Sequence, residues 1–277
     1  MSSPFQHLRH AALSDVGMVR TQNEDAFGLF PEYGVFCVAD GMGGGRDGAL
    51  ASSTIIRFLG NYLMSFPAPH DTAYAMDDML DGIRQTMNEA SDWMFRRMQS
   101  QGGGMCGSTF VGLCFNGGFP QSAFALHAGD SRLYRFRNGV LDQMTNDHSL
   151  AAAVGLDEKR LTKGMRSVVM RAVGVEPQVS LDTTTVDVAW GDRLLLCSDG
   201  LTRMVQDDGI ASLLAEDGDA ATAAEALVAA ANAHGGADNV TVVVVDVGQL
   251  PPPCEQVAMG LDDDSASGVY METMKGG

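Results

Sequence analysis

The chain has 277 residues, of which 45% are hydrophobic, and a formal net charge of -17. That length builds one large domain or two small ones around a substantial core, and such acidity argues against nucleic acid or an anionic membrane surface as partner, because both need basic patches. No apolar run reaches the roughly 20 residues of a bilayer-spanning helix and the N-terminus lacks a signal-peptide pattern, so a cytoplasmic protein without membrane insertion is expected. The five cysteines have no CxxC spacing and mostly sit in apolar runs, where a thiol behaves as a small hydrophobe.

Along the chain, Phe36 to Ala39 reads as a strand, and Gly48 to about Phe66 and Asp71 to about Gln101 read as helices. In the second helix Met76, Leu80, Ile83, Met87, Ala90, Met94 and Met98 recur at three- and four-residue steps behind an Asp71-Thr72 start signal, which predicts a face packed on a core. Short strands follow at Ser108 to Phe115, Gln121 to Ala128, Arg132 to Phe136 and Val140 to Met144, and Asn138-Gly139 predicts a tight hairpin between the last two. Ser149 to Gly174 reads as an irregular surface insertion of the kind that shapes substrate sites. Strands at Ser180 to Val188, Arg193 to Cys197 and Asn239 to Val247 then bracket helices at Asp208 to Ala215 and Ala220 to Ala233. Strands and helices in blocks predict an α+β fold of two face-to-face sheets with helices outside. Residues 1–248 form one domain on this reading, and 249–277, rich in proline, aspartate, serine and glycine, form a disordered tail.

Aspartates recur where apolar runs stop: Asp40 after Phe36 to Ala39, Asp130 after Ala125 to Gly129, Asp199 after Leu194 to Ser198, and Asp238 just before Val240 to Val245. Asp before Gly is ordinary turn chemistry at any one of these places. Four such sites across the chain point instead to carboxylates gathered around a divalent cation, because hard oxygen ligands suit Mg²⁺ or Mn²⁺ and mutually repelling carboxylates need one. Arg20, close to Glu24 and Asp25, fits the same cleft as a phosphate clamp, with a surface salt bridge to Glu24 as the plainer alternative.

Taken in order, Arg20 with Asn23-Glu24-Asp25, Ala39-Asp40-Gly41-Met42-Gly43-Gly44, Gly107-Ser108-Thr109, Gly129-Asp130-Ser131-Arg132, Ser198-Asp199-Gly200 and Asp238-Asn239-Val240-Thr241 closely resemble the metal-dependent protein phosphatases of the PPM, or protein phosphatase 2C, family. The resemblance runs from about Ala11 to Val247, and the Asp-Gly-Met form of the second motif is more like bacterial members. It implies a central sandwich of two antiparallel β-sheets flanked by helices, with metals in a cleft at one end. It further implies that Asp40 bridges two Mn²⁺ or Mg²⁺ ions, that the Gly41 carbonyl joins one of them, and that Asp199 and Asp238 complete the other. Glu24 and Asp25 would hold metal-bound waters, Arg20 would bind the phosphate, and Asp130 resembles a ligand of a third, weaker ion. The two ions would activate a bridging water for in-line attack on phosphorus, without a protein nucleophile.

Many relatives carry a histidine in the second motif's loop, where this chain has Met42 and Gly45, so the general acid is open; His148 and His127 are the substitutes. Arg132 either orients Asp130 or pairs structurally with another acid. The stretch from about Ala153 to Val173 resembles the family's flap, with Lys163, Arg166 and Arg171 available to an acidic phosphopeptide. The function implied is a serine/threonine phosphoprotein phosphatase, a monomer that opposes a bacterial serine/threonine kinase. A catalytically idle phosphoprotein-binding scaffold and a small-molecule phosphatase are the competing readings.

Overall fold

The computed structural model describes residues 4–65, 76–117, 121–154 and 168–248. The tail, the Asp71-Thr72 start signal, and Lys163 and Arg166 of the insertion lie outside these residues.

Strand β11 (Val240–Val247) explains the layering in miniature. Successive side chains of a strand point to opposite faces. Val243, Val245 and Val247 therefore enter one apolar cluster while Val240, Val242 and Val244 enter another, and all six are buried. A strand apolar on both faces must lie inside a stack. Its sheet runs β1 (Leu8–Asp15), β11, β10 (Arg193–Cys197), β7 (Arg132–Arg137), β8 (Val140–Gln143). The second sheet runs β2 (Asp25–Phe30), β3 (Val35–Met42), β5 (Phe110–Phe115), β6 (Ser122–Ala128), β9 (Asp182–Asp187), and the short β4 (Gly107–Ser108) pairs with the end of β3. The strand pairs are antiparallel throughout.

Between the sheets, Phe36, Val38, Val111, Leu113 and Phe115 meet Leu133, Leu194, Leu196, Val243 and Val245. Helices α1 (Arg46–Ser65) and α2 (Met76–Ser100) cover the outer face of the second sheet. The expected stripe is the buried one: Met76, Leu80, Ile83, Met87, Ala90, Met94 and Met98 all face this core. Burying each large apolar side chain is worth roughly 1.5 to 3 kcal/mol, so a charge at Ile83 would weaken the packing of this helix on the sheet. A short helix, α3 (Leu150–Val154), follows β8. On the far side α4 (Asp199–Thr202), α5 (Asp207–Leu214) and α6 (Ala220–Ala233) pack on the first sheet through Leu201, Ile210, Leu214, Leu227 and Ala231. The Asp219 carboxylate caps α6 by accepting the Thr222 N–H at 2.9 Å.

The order is therefore helix, sheet, sheet, helix, as expected. Asn138 and Gly139 both take positive φ, 52° and 82°, which makes the tight turn between β7 and β8. Boundaries differ by small amounts: α1 starts at Arg46 rather than Gly48, and β9 spans Asp182–Asp187 rather than Ser180 to Val188. Strands β1 and β2 are additions to the sequence reading. Leu8–Asp15 is only half-buried and rich in alanine, so its strand character comes from pairing all eight residues with β11.

Candidate metal centre

Antiparallel order brings particular chain ends together. The end of β10 lies beside the start of β11, and the start of β7 lies beside the end of β10, with Cys197 opposite both Val242 and Arg132. The residues just beyond those ends are Asp199, Asp238 and Asp130. From the other sheet, Asp25 at the start of β2 is directly opposite Asp40 near the end of β3. A cavity of about 220 Å³ opens here, lined by Arg20, Glu24, Asp40, Gly41, Asp130, Asp199, Arg203 and Asp238 among others. Asp25 sits behind it, against Asp40. The expected metal and phosphate ligands, Arg20, Glu24, Asp25, Asp40, Gly41, Asp130, Asp199 and Asp238, thus fall together at one end of the sandwich.

Hydrogen bonds fix the carboxylates. The Thr109 hydroxyl accepts the Asp40 N–H at 3.0 Å, the Thr109 N–H donates to the Asp40 carbonyl at 2.9 Å, and the same hydroxyl meets Ser131 Oγ at 2.7 Å. Thr109 thereby ties the Asp40 backbone to the residue next to Asp130. Ser198 Oγ donates to Asp25 Oδ2 at 2.7 Å and accepts the Thr241 N–H at 3.0 Å. Glu24 Oε1 accepts the Gly45 N–H at 2.7 Å. Gly41 has no room for a side chain: a Cβ there would overlap the carbonyl oxygens of Gly48 and Glu24. Arg20 stands at the mouth, its Nη2 2.9 Å from Asp238 Oδ2 and its Nη1 4.0 Å from Glu24 Oε1.

So many acids in so little space cannot all ionise freely. Burial lifts Asp40 well above the usual carboxylate range, and the charges of Asp25, Asp199, Asp130 and Asp238 raise it further. Asp199 is pushed up to about 8 by burial and by Asp130, against the pull of Arg203. Asp25 is raised to about 6 by burial, although Ser198 and Thr241 donate to it. Asp130 is raised by burial too, again opposed by Arg203. Asp130 Oδ1 and Asp199 Oδ1 are buried with no hydrogen-bond partner. Orphaned buried carboxylate oxygens in an all-oxygen setting fit a hard divalent cation.

Arg203 is the residue the sequence reading missed. Its Nη2 pairs with Asp199 Oδ2 and lies 3.5 Å from Asp130 Oδ2, and its Nη1 is 4.0 Å from Asp238 Oδ2. The available signal was its spacing, four residues after Asp199 on a helical turn.

Three residues weighed from the sequence lie elsewhere. Arg132 grips Asp147 with two nitrogens, at 2.7 to 3.1 Å, and donates to Tyr134 Oη at 2.8 Å, so it is a structural arginine. His127 and His148 do not line the cavity. His127 Nε2 bonds the Asn146 carbonyl at 2.8 Å, while His148 Nδ1 accepts the Gly129 N–H at 3.2 Å. The two rings stack 4.6 Å apart and 12° from parallel, next to Asp182. This trio has metal-ligand types within 4.8 Å of one another. Near-parallel rings do not aim their lone pairs at one point, and the Arg171 guanidinium already pairs with Asp182 and lies 3.2 Å from His148 Nε2. The four described cysteines are buried and free, and burial pushes Cys37 and Cys197 up to about 12, which keeps them inert. Among the described residues no helix is long and apolar enough to cross a membrane.

Known proteins match this arrangement. The family described as stage II sporulation protein E (SpoIIE) matches residues 31–248. The serine/threonine phosphatase Stp of Listeria monocytogenes is 33% identical over 244 residues, covering 84% of this chain and 93% of Stp. PppA, described as a key regulatory component of T6SS in Pseudomonas aeruginosa, superposes with a TM-score of 0.77 at 34% identity, covering 87% of this chain and 98% of its own. The catalytic domain of the serine/threonine phosphatase PstP, solved with two manganese ions, gives 0.71 at 32% identity over 87% and 99% of the two chains. With its ordered motifs, its four layers and its carboxylate cavity, the chain belongs to the SpoIIE-like, protein phosphatase 2C-type family of metal-dependent serine/threonine phosphatases.

Proposed function

We propose that residues 1–248 form a phosphatase domain that removes phosphate from phosphoserine and phosphothreonine in proteins, working as a cytoplasmic monomer and opposing a bacterial serine/threonine kinase. The observation that carries this reading is the convergence of Asp40, Asp199 and Asp238 from the edges of both sheets on one cavity with Arg20 at its mouth.

Asp40 would bridge two divalent cations, joined by the Gly41 carbonyl on one side and by Asp199 and Asp238 on the other. Glu24 and Asp25 would orient water around them, Glu24 from the cavity wall and Asp25 from behind Asp40. Bound as a pair, the cations supply a water activated near neutral pH and neutralise charge on the phosphoryl group. Arg20 is placed to grip phosphate oxygens: its side chain is 47% exposed and its guanidinium is held at short range by Asp238. Thr109 holds the Asp40 backbone and Ser198 holds the Asp25 carboxylate in place before any ion binds.

The test is hydrolysis of a phosphothreonine peptide by the metal-stripped full chain, with Mn²⁺ added back, beside Asp199→Asn. Activity that returns with Mn²⁺ and is lost in the variant is the expected result. No activity with Mn²⁺ would leave a phosphoprotein-binding scaffold, and activity confined to small phosphate esters would leave a small-molecule phosphatase.

A further inference from the structure

Arg203 is not needed to explain the two-ion site, yet it reaches three acids of the cavity, Asp199, Asp130 and Asp238. Its position is set by the backbone: the Arg203 N–H donates to the Asp199 carbonyl at 2.9 Å, which closes one helical turn and puts both side chains on the same face. The guanidinium then takes Asp199 Oδ2 and approaches Asp130 Oδ2. The other oxygen of each carboxylate, Oδ1, stays buried and unpartnered. Arg203 thus takes one oxygen from each acid and leaves one.

Charge balance points the same way. Glu24, Asp25, Asp40, Asp130, Asp199 and Asp238 are six carboxylates, and Arg20 and Arg203 are the two guanidiniums among them. When all are ionised the difference is four negative charges, which two divalent cations cancel. Without Arg203 the same two cations would leave one negative charge uncompensated, next to Asp130, in a buried setting where an unpaired charge is costly.

We propose that Arg203 is a built-in cation at the Asp130 and Asp199 corner, which takes up the charge a third divalent ion would otherwise supply, so that this chain is complete with two ions. The inference rests on the two-metal reading above. An arginine is charged at any working pH and, unlike an ion, cannot dissociate. The rate should therefore rise with Mn²⁺ in a single saturating phase.

The experiment is calorimetric titration of the metal-stripped full chain with Mn²⁺, read as equivalents bound, for the wild type, Arg203→Gln, Arg203→Lys and Asp130→Asn. Two equivalents are expected for the wild type, and still two for Arg203→Lys and Asp130→Asn. Arg203→Gln should gain a third, bound at least tenfold more tightly than any third equivalent on the wild type. Equal third-ion affinity in wild type and Arg203→Gln overturns the proposal, as does a third equivalent on the wild type that Asp130→Asn removes. The latter comparison serves even if Arg203→Gln fails to fold, which circular dichroism would reveal. A wild type that binds no Mn²⁺ overturns the two-metal reading itself, a result distinct from three equivalents on every variant.

Discussion

Asn239 accepts the backbone N–H of Glu24 at 2.9 Å, from a position 215 residues further along the chain. Its amide nitrogen donates to the carbonyls of Val16 and Gln22, each at 2.9 Å. One buried side chain next to Asp238 thus fixes both flanks of the loop that carries Arg20. Asn239→Ala leaves a buried donor and two acceptors unsatisfied, at about 1 to 3 kcal/mol for each group that water cannot reach. Thermal melts of the metal-free variant should show a loss of several degrees, and KM for phosphopeptide should rise as Arg20 loses its seat.

Asp199→Asn should lower kcat on the order of a hundredfold or more, since even a group that only supports a metal ligand is worth roughly 10- to 100-fold. The same change should raise the melting temperature of the metal-free protein, because it removes a carboxylate that burial and Asp130 disfavour. Opposite signs for activity and stability are the mark of a site held under electrostatic strain; a fall in both would mean that Asp199 is structural.

The metal-free protein should lose stability as pH rises. Asp25 and Asp199 have folded values of about 6 and 8, above the ordinary 3.8, so the folded state binds more protons than the unfolded chain between those limits. Their stabilising contribution is full below about pH 4 and falls away as pH passes 6 and then 8, while Asp40 and Asp130 act in the same direction. Melting curves from pH 5 to 8 check this, and saturating Mn²⁺ should flatten them.

Neither histidine near the site should act as the proton donor. His127→Gln and His148→Gln should keep both limbs of the pH dependence of kcat, because neither ring lines the cavity. Loss of the high-pH limb in one variant would put the general acid there. Arg132→Leu, which leaves the half-buried Asp147 carboxylate without its bidentate partner, should cost about 3 kcal/mol or more and leave the Mn²⁺ equivalents unchanged.

Much of this was legible in the sequence, for physical reasons. Carboxylates at strand ends, the methionine stripe of α2 and the Asn138-Gly139 turn are local signals with fixed spacing, and each falls where its period or turn chemistry puts it. Strand β1 has no such signal, because alanine and half-exposed polar residues carry little period and only β11 makes them a strand. Thr109 and Asn239 stood within quoted motifs, yet their roles depend on partners 22 to 223 residues away. Arg203 was overlooked because an arginine after a turn reads as solvated until the carboxylates around it are seen together.

The candidate ligands come from both layers of the sandwich, Asp40 from the second sheet and Asp199 and Asp238 from the ends of the first. An ion shared by them is therefore a rivet between two sheets that otherwise meet mainly through apolar packing. Its removal would let the laminate part at that edge first, so amide exchange in metal-free protein should quicken around Asp40, Ser198 and Val240 while the opposite end stays protected.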